Sequence, residues 1–455
     1  MYNIRRFDNF QHRISFRLPT EEFDLYFNRF LEGSLGKIYS AIPWEALVKT
    51  FGILDCKKGP KSIFSPQGKL ALMFLKHHAA CSDKRLIEQL NGNIDYQFFC
   101  GIDLGSTRLT NYKIVSEIRC ELSKKLDIDK IQQVLFGSWS PQIKDKHSIV
   151  MDATCYESEL RHPTNEKLLW ESVEWGHRQL KAICKTLGIK TPRTKYLKWK
   201  KRHISYSKMR RKTKVKRIGL TRSLLLLLDK INGELDKLEK QHQLQMPKKY
   251  YQRRATVKKV HQQQDQLFHT GIKPKGRMVS IGKDYLRPIV RGKEIKPVEF
   301  GAKVNKFQID GINFIEHLSF NAFHEGNRFQ DTIFKAQRLS KTKTKLAGAD
   351  AIYATNKNRK FASRNAIMTD FKRKGRAGKH EKQRKQLATM ITKERATRLE
   401  GSFGKEKEYY HLKKIKARTK ATETLWIFFG IHTANALEIG RRMYQEQENR
   451  LLKTG

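Results

Sequence analysis

The chain has 455 residues, with 93 Lys and Arg against 45 Asp and Glu, a formal net charge of +48. Such an excess repels itself unless a polyanion shares it, which points to nucleic acid, whose phosphates release counterions on meeting Lys and Arg. A membrane is the rival polyanion, but no run of about 18 apolar residues is present to span one, and MYNIRRFDNFQHR at the start lacks the apolar core of a signal peptide. Six cysteines (Cys56, Cys81, Cys100, Cys120, Cys155 and Cys184), none in a CxxC pair, argue against a zinc site or a disulfide framework. They suit a reducing cytosol, and the length predicts about two to three domains.

Residues 1–140 read as an N-terminal helical domain able to grip DNA. Leu70, Met73 and Phe74, then Leu86, Ile87 and Leu90, recur at helical spacing, and Ser82-Asp83 supplies a cap before KRLIEQL. Residues 141–160 carry HSIVMDAT, a short buried strand that ends in Asp152. Residues 161–298 change character and read as a basic, mostly helical insertion. The run Lys198–Lys216 favours phosphate contact without sequence reading, and LTRSLLLLLDKINGELDKLEKQHQ is an amphipathic helix, half of a helical hairpin. Trp170 and Trp175 read mainly as core, with stacking on an unpaired base as the alternative.

Residues 299–445 return to a β pattern. Asp310-Gly311 between two apolar runs signals a hairpin over Gly301–Phe323. NRFQDTIFKAQRLS reads as a helix, KTKLAGADAIY as a strand ending at Asp350, and RNAIMTDFKR as another strand. Phe371–Gln386 reads as a basic loop, KERATRLEGSFGKEKEYY places Glu400 in a helix, and ATETLWIFFGIHTANALEIGRR is an apolar, buried helix. His432 within it reads as a core histidine, with no ligand spacing to His162 or His177. Residues 446–455 form a tail.

Asp152, Asp350 and Glu400 therefore stand out. An Asp after a strand is usually a turn or cap residue, but strand ends of an open α/β sheet are also where sites form. Three converging carboxylates repel one another until a divalent cation neutralises them, and hard oxygen donors suit Mg²⁺ or Mn²⁺. Two such ions about 3.5–4 Å apart can serve an in-line displacement at phosphorus.

At these residues the chain resembles the DDE transposases of bacterial insertion sequences. FSPQGKLALMFLKHHAACSDKRLIEQLNGNIDYQFFCGI is similar to the family's N-terminal helical domain, VMDAT to its first-Asp strand, LAGADAIYATNKNRKF to its second-Asp segment, and RLEGSFGKEKEYYHLKKIKAR to its Glu segment. The resemblance covers most of the chain. It implies an α/β fold: an RNase H-like mixed sheet flanked by helices, with an N-terminal helical domain and the basic insertion. It implies Asp152, Asp350 and Glu400 as catalytic and metal-binding residues, holding two Mg²⁺ or Mn²⁺ ions. Lys407, two turns after Glu400 and so on its face, would contact DNA. The arginine that the family places four residues before the Glu falls here on Ala396, with Arg398 and then Arg395 as the candidates. Tyr353, Asn358 and Arg359 are further candidate DNA contacts, although Tyr353 could equally pack in the core and Asn358 cap a turn.

The implied activity is cleavage at the element's terminal inverted repeats and joining of 3′ ends to target duplex DNA, by a homodimer in the bacterial cytoplasm at the nucleoid. A metal-dependent nuclease on the same fold and a non-catalytic nucleic-acid-binding protein are the rival readings.

Overall fold

In the computed structural model the described residues are 5–6, 20–55, 62–290, 297–376 and 378–454. Cys56, the segment 291–296 and most of the stretch read for a signal peptide lie outside them. The chain divides into two compact units: Met1–Ser158 with Ala302–Ser319 and Phe323–Gly455, and Glu159–Gly301 with Phe320–Ala322. The fold is mixed α/β. Among the described residues, no helix is long and apolar enough to cross a membrane.

Among the described residues, those between Thr20 and Trp139 of the first unit form eight α-helices, α1 (Thr20–Glu32), α2 (Ser34–Ala41), α3 (Trp44–Phe51), α4 (Pro66–Ala79), α5 (Asp83–Gly92), α6 (Ile94–Cys100), α7 (Lys113–Ser123) and α8 (Ile128–Trp139). Their starts follow capping chemistry. Ser65 accepts from the Gly68 N–H with Pro66 at the first position, and Ser82 accepts from the Arg85 N–H. Six consecutive residues of α4, Leu70 to Leu75, are buried, so this helix is enclosed on all sides. Asp83 ties α4, α5 and α7 together through Lys76 and Arg119, each at 2.8 Å. Burial works to raise the Asp83 carboxyl, but the two cations hold it below its ordinary value.

The second unit is built on α9 (Asn165–Thr186), α10 (Tyr196–Lys208), α11 (Lys214–Gln241) and α12 (Lys248–Thr270). Leu169, Val173, Leu224, Leu228, Ile231 and Val257 form its core. Gly176 lets α9 close on α11, since a Cβ there would lie 2.8 Å from Ile231 Cγ2. Trp170 and Trp175 are buried in this core. Trp170 stacks on Tyr196 and His203, with ring centres 5.5 and 4.7 Å apart, which leaves it no face for an unpaired base. The run Lys198–Lys216 is ordered as most of α10 and the start of α11 rather than as a loose tract.

The sheet of the first unit contains β1 (Ser148–Ser158), β2 (Val298–Ile309), β3 (Ile312–Ser319), β4 (Leu346–Ala349), β5 (Met368–Thr369) and β6 (Lys414–Ile415). The strand order is β2-β1-β4-β5, with β3 antiparallel on β2 and β6 beside the end of β1. The β1–β4 and β4–β5 pairs are parallel. Parallel strands are covered on both faces, and β1 accordingly buries residues of both alternating sets. Asp310 and Gly311 turn the β2–β3 hairpin with φ of +46° and +83°, the left-handed pair a two-residue turn requires.

Helices α13 (Phe329–Ser340), α14 (Asn356–Arg364), α15 (Glu381–Glu394), α16 (Gly401–Tyr409) and α17 (Lys420–Thr454) complete the unit. Phe429 of α17 meets Phe74 of α4 edge-on at 4.9 Å. Between α15 and α16, Arg395–Glu400 is a π-helix. The expected basic loop is shorter than Phe371–Gln386, because α15 begins at Glu381, where Glu381 and Arg384 pair at 2.6 Å one turn apart. Ile391 and Leu399 pack on Val150 of β1, with Leu346 of β4 and Phe403 beside them. Gly348 permits this crossing: a Cβ there would lie 2.4 Å from Ile391 Cγ2 and 3.0 Å from Val150 Cγ1.

Gly348→Ala is therefore expected to cost about 1–3 kcal/mol by overpacking. Gly219→Ala in α11, where a Cβ meets nothing within 4 Å, should be neutral or stabilising. Urea unfolding midpoints of the two variants check this, and equal midpoints would contradict the close-approach argument.

Candidate active site

The parallel register sets the first two acids side by side. Met151 pairs with Ala349, so Asp152 and Asp350 stand at the same level. Asp350 follows the end of β4, but β1 does not end at Asp152 as expected and runs on to Ser158, where it pairs with β6. The Asp152 Oδ1 accepts from the Ala153 N–H at 2.7 Å, and the Asp350 Oδ1 from the Ala351 N–H at 2.6 Å. Burial pushes the Asp152 carboxyl up to about 6; the charges of Glu325 and Asp350 add to that, while the Ala153 hydrogen bond and Arg395 oppose it. Asp350 is exposed at the start of a short 3-10 turn, Ala351–Tyr353.

Glu400 meets Arg395 through the π-helix rather than the two aspartates directly. A π turn closes from i to i+5, which places Arg395 and Glu400 on one face, and Arg395 Nη1 lies 3.0 Å from Glu400 Oε1. Arg395 Nε is 3.9 Å from Asp370 Oδ2, and its charge also acts on Asp152. One guanidinium thus serves acids from β1, from the end of β5 and from the π-helix. The Asp370 side chain is buried, accepts from the Ala349 N–H at 3.1 Å, and has its carboxyl raised, first by burial and also by Asp350. Glu325, whose charge reaches Asp152, is paired with Lys303 at 2.7 Å. Sequence reading singled out neither Asp370 nor Glu325. Asp370 follows the end of β5 as Asp350 follows the end of β4, and that signal was available in the expected RNAIMTD strand.

The other expected residues divide into two sets. Lys407 lies by the acids' strand, with Nζ donating to Thr154 Oγ1 at 3.2 Å. Arg398 faces away, to Asp310 at 3.6 Å and Glu394 at 2.9 Å, and lines a cavity of about 270 Å³ beside Lys405, Arg441 and Arg442. Tyr353 is fully buried and donates to Asn305 Oδ1 at 2.6 Å. Asn358 is buried, donating to the carbonyls of Gly326 and Tyr353 at 2.6 and 2.8 Å. Arg359 donates to the carbonyls of Ala354 and Lys372 at 3.0 and 2.7 Å. These three fix the segment that follows Asp350.

Beneath the acids, Lys306 and Glu406 form a fully buried ion pair at 2.6 Å, to which Tyr156 donates from β1. This pair locks α16 to β2 and β1. His432 is buried in α17 as expected of a core histidine, 3.1 Å from Asn435 through Nδ1, and burial lowers its pKa to about 3.

For a divalent ion, Asp152 and Asp350 offer hard oxygen donors whose mutual repulsion a cation would relieve. Glu400 is turned to Arg395. Among the described residues, no three His, Cys, Asp or Glu side chains are grouped as a ready ligand set.

Residues 26–120, which span most of α1 to α7, match a family model described as Transposase domain (DUF772). The match supports a transposase, a DNA-processing enzyme. No curated protein and no solved structure matches the chain.

Two outcomes follow. The folded chain holds the Asp152 proton more tightly than an unfolded carboxyl with its ordinary 3.8, so this group costs stability as pH rises from about 4 to about 6. In the absence of divalent cations, Asp152→Asn should be more stable than the parent above pH 6, by up to about 3 kcal/mol, and equal to it below about pH 4; melting curves across that window check it. Lys306→Met should cost about 3–5 kcal/mol by stranding Glu406, whereas Lys306→Met with Glu406→Leu should cost less. Denaturant titration of the three chains reads the difference.

Proposed function

We propose that the chain is a DDE-type transposase with an RNase H-like catalytic core. It binds the ends of its element, cuts DNA by metal-dependent hydrolysis and joins the 3′ ends to target duplex DNA. The observation that carries this reading is the gathering of acids from β1, the end of β5 and the π-helix around Arg395, with Asp350 on the strand beside Asp152. The transposase-domain match at residues 26–120 and the charge of +48 support it.

In this reading Asp152, Asp350 and Glu400 hold two Mg²⁺ or Mn²⁺ ions. Such ions would supply Lewis-acid activation of the attacking oxygen and stabilisation of the leaving one at a phosphodiester. The chain's own groups do the rest. Arg395 neutralises the acids while they await the cation, and is released to a DNA phosphate once the cation takes over that charge. The π turn supplies here the arginine that a regular helix would place at position 396. Lys407, on the Glu400 face, meets phosphate beside the cut. Water as nucleophile gives a 3′-OH, and that 3′-OH as nucleophile gives strand transfer. Two copies of the chain bring two ends together.

With duplex DNA carrying the sequences that flank the coding region, Mg²⁺ should give nicked and then joined products. Asp152→Asn, Asp350→Asn and Glu400→Gln should each lower cleavage by about 10³-fold or more, the loss of several kcal/mol of metal assistance, and leave binding intact. Arg395→Gln should impair cleavage more than Arg398→Gln. Cutting without joining would favour a nuclease. Loss of binding together with cutting in all three acid variants would remove the site.

A further inference from the structure

The helical unit Glu159–Gly301 with Phe320–Ala322 holds a cleft of about 740 Å³, lined among others by His162, Lys273, Arg277, Arg287, Val298 and Phe300. Among the described residues that line it there is no Asp or Glu. The two arginines are oriented without losing their charge. Arg277 Nη2 donates to Asn165 Oδ1 at 2.8 Å, and Arg287 Nη1 donates to the carbonyls of Asp284 and Leu286 at 2.5 and 2.7 Å. All of these acceptors are neutral. Among the described residues Arg277 Nε is a buried donor with no acceptor, an unsatisfied charge-bearing group that an anionic oxygen would complete. The floor is of another kind. Phe300 is half-buried, its ring 6.2 Å from that of His162, and it is flanked by Val298 and by the exposed Val290.

Fixed cations beside an aromatic and aliphatic floor match a strand whose phosphates are charged and whose bases have open faces. We propose that this cleft binds single-stranded nucleic acid. Arg277, Arg287 and Lys273 take backbone phosphates and Phe300 takes the face of an unpaired base. A duplex buries its base faces in its own stack and can use only the cations. This site goes beyond the proposed chemistry and does not depend on it, and it gives the basic helical unit a role in holding DNA strands that have come apart.

The test is fluorescence anisotropy of the full-length chain with a labelled single strand of about 20 nucleotides and the duplex of the same sequence. Chelator is present throughout, so binding is read whether or not the chain can cut. Arg277→Gln with Arg287→Gln should weaken single-strand binding about tenfold and make the slope of log affinity against log salt shallower by about 1.4, or about 0.7 per lost phosphate contact. Lys273→Gln, an exposed side chain that cannot disturb the core, should remove about 0.7 of that slope. Phe300→Leu should weaken single-strand binding about fivefold or more and leave duplex binding unchanged. An unchanged salt slope in Lys273→Gln and in the double variant overturns the proposal. So does equal weakening of duplex and single strand by Phe300→Leu, or competition by polyglutamate as effective as that by unlabelled single strand.

Discussion

The candidate site rests on a crossing that only a glycine allows. Gly348 sits where α15 passes over β4, and the absent Cβ is the room that Ile391 and Val150 occupy. Because Ile391, Leu399 and Val150 share one small core, the π-helix is pressed against β1 two residues before Asp152. The parallel register brings Asp350 to the same edge. The Lys306–Glu406 pair, with Tyr156, then fixes α16 from below. Packing here decides the position of charge.

The electrostatics run against the chain as a whole. A protein with an excess of 48 positive charges concentrates Asp152, Glu325, Asp350, Asp370 and Glu400 in one region and sets a single guanidinium among three of them. Burial and like charge raise Asp152 and Asp370, the arrangement expected where a site is poised for a cation rather than for water.

Much of this could be read from the residues themselves. The β1 strand and the Asp310-Gly311 turn were legible because period and turn chemistry are local. The Ser82 cap was legible for the same reason. The helical character of Pro66–Gly92 followed from the apolar spacing of Leu70 to Leu90. What escaped reading depends on contacts between distant segments or on one-residue irregularities. Arg395 meets Glu400 only because the helix widens to a π turn, so a count at 3.6 residues per turn favours other positions. Glu325 lies in a loop without periodicity. Trp170 is claimed by Tyr196 and His203, partners more than 25 positions further along the chain that no local pattern announces. The helix from Glu381 was hidden by its charge, since the Lys and Arg of a solvent-facing helix look in sequence like those of a loop.

The central claim is that acids from three separate segments serve one divalent-metal centre. Fe²⁺ bound in place of Mg²⁺, with ascorbate and peroxide, cuts polypeptide beside the ion, and the fragments can be mapped by mass spectrometry. The account predicts cuts clustered near residues 152, 350 and 400 together, suppressed by excess Mg²⁺ and absent in Asp152→Asn. Cuts at one segment alone, or the same pattern in Asp152→Asn, would contradict it.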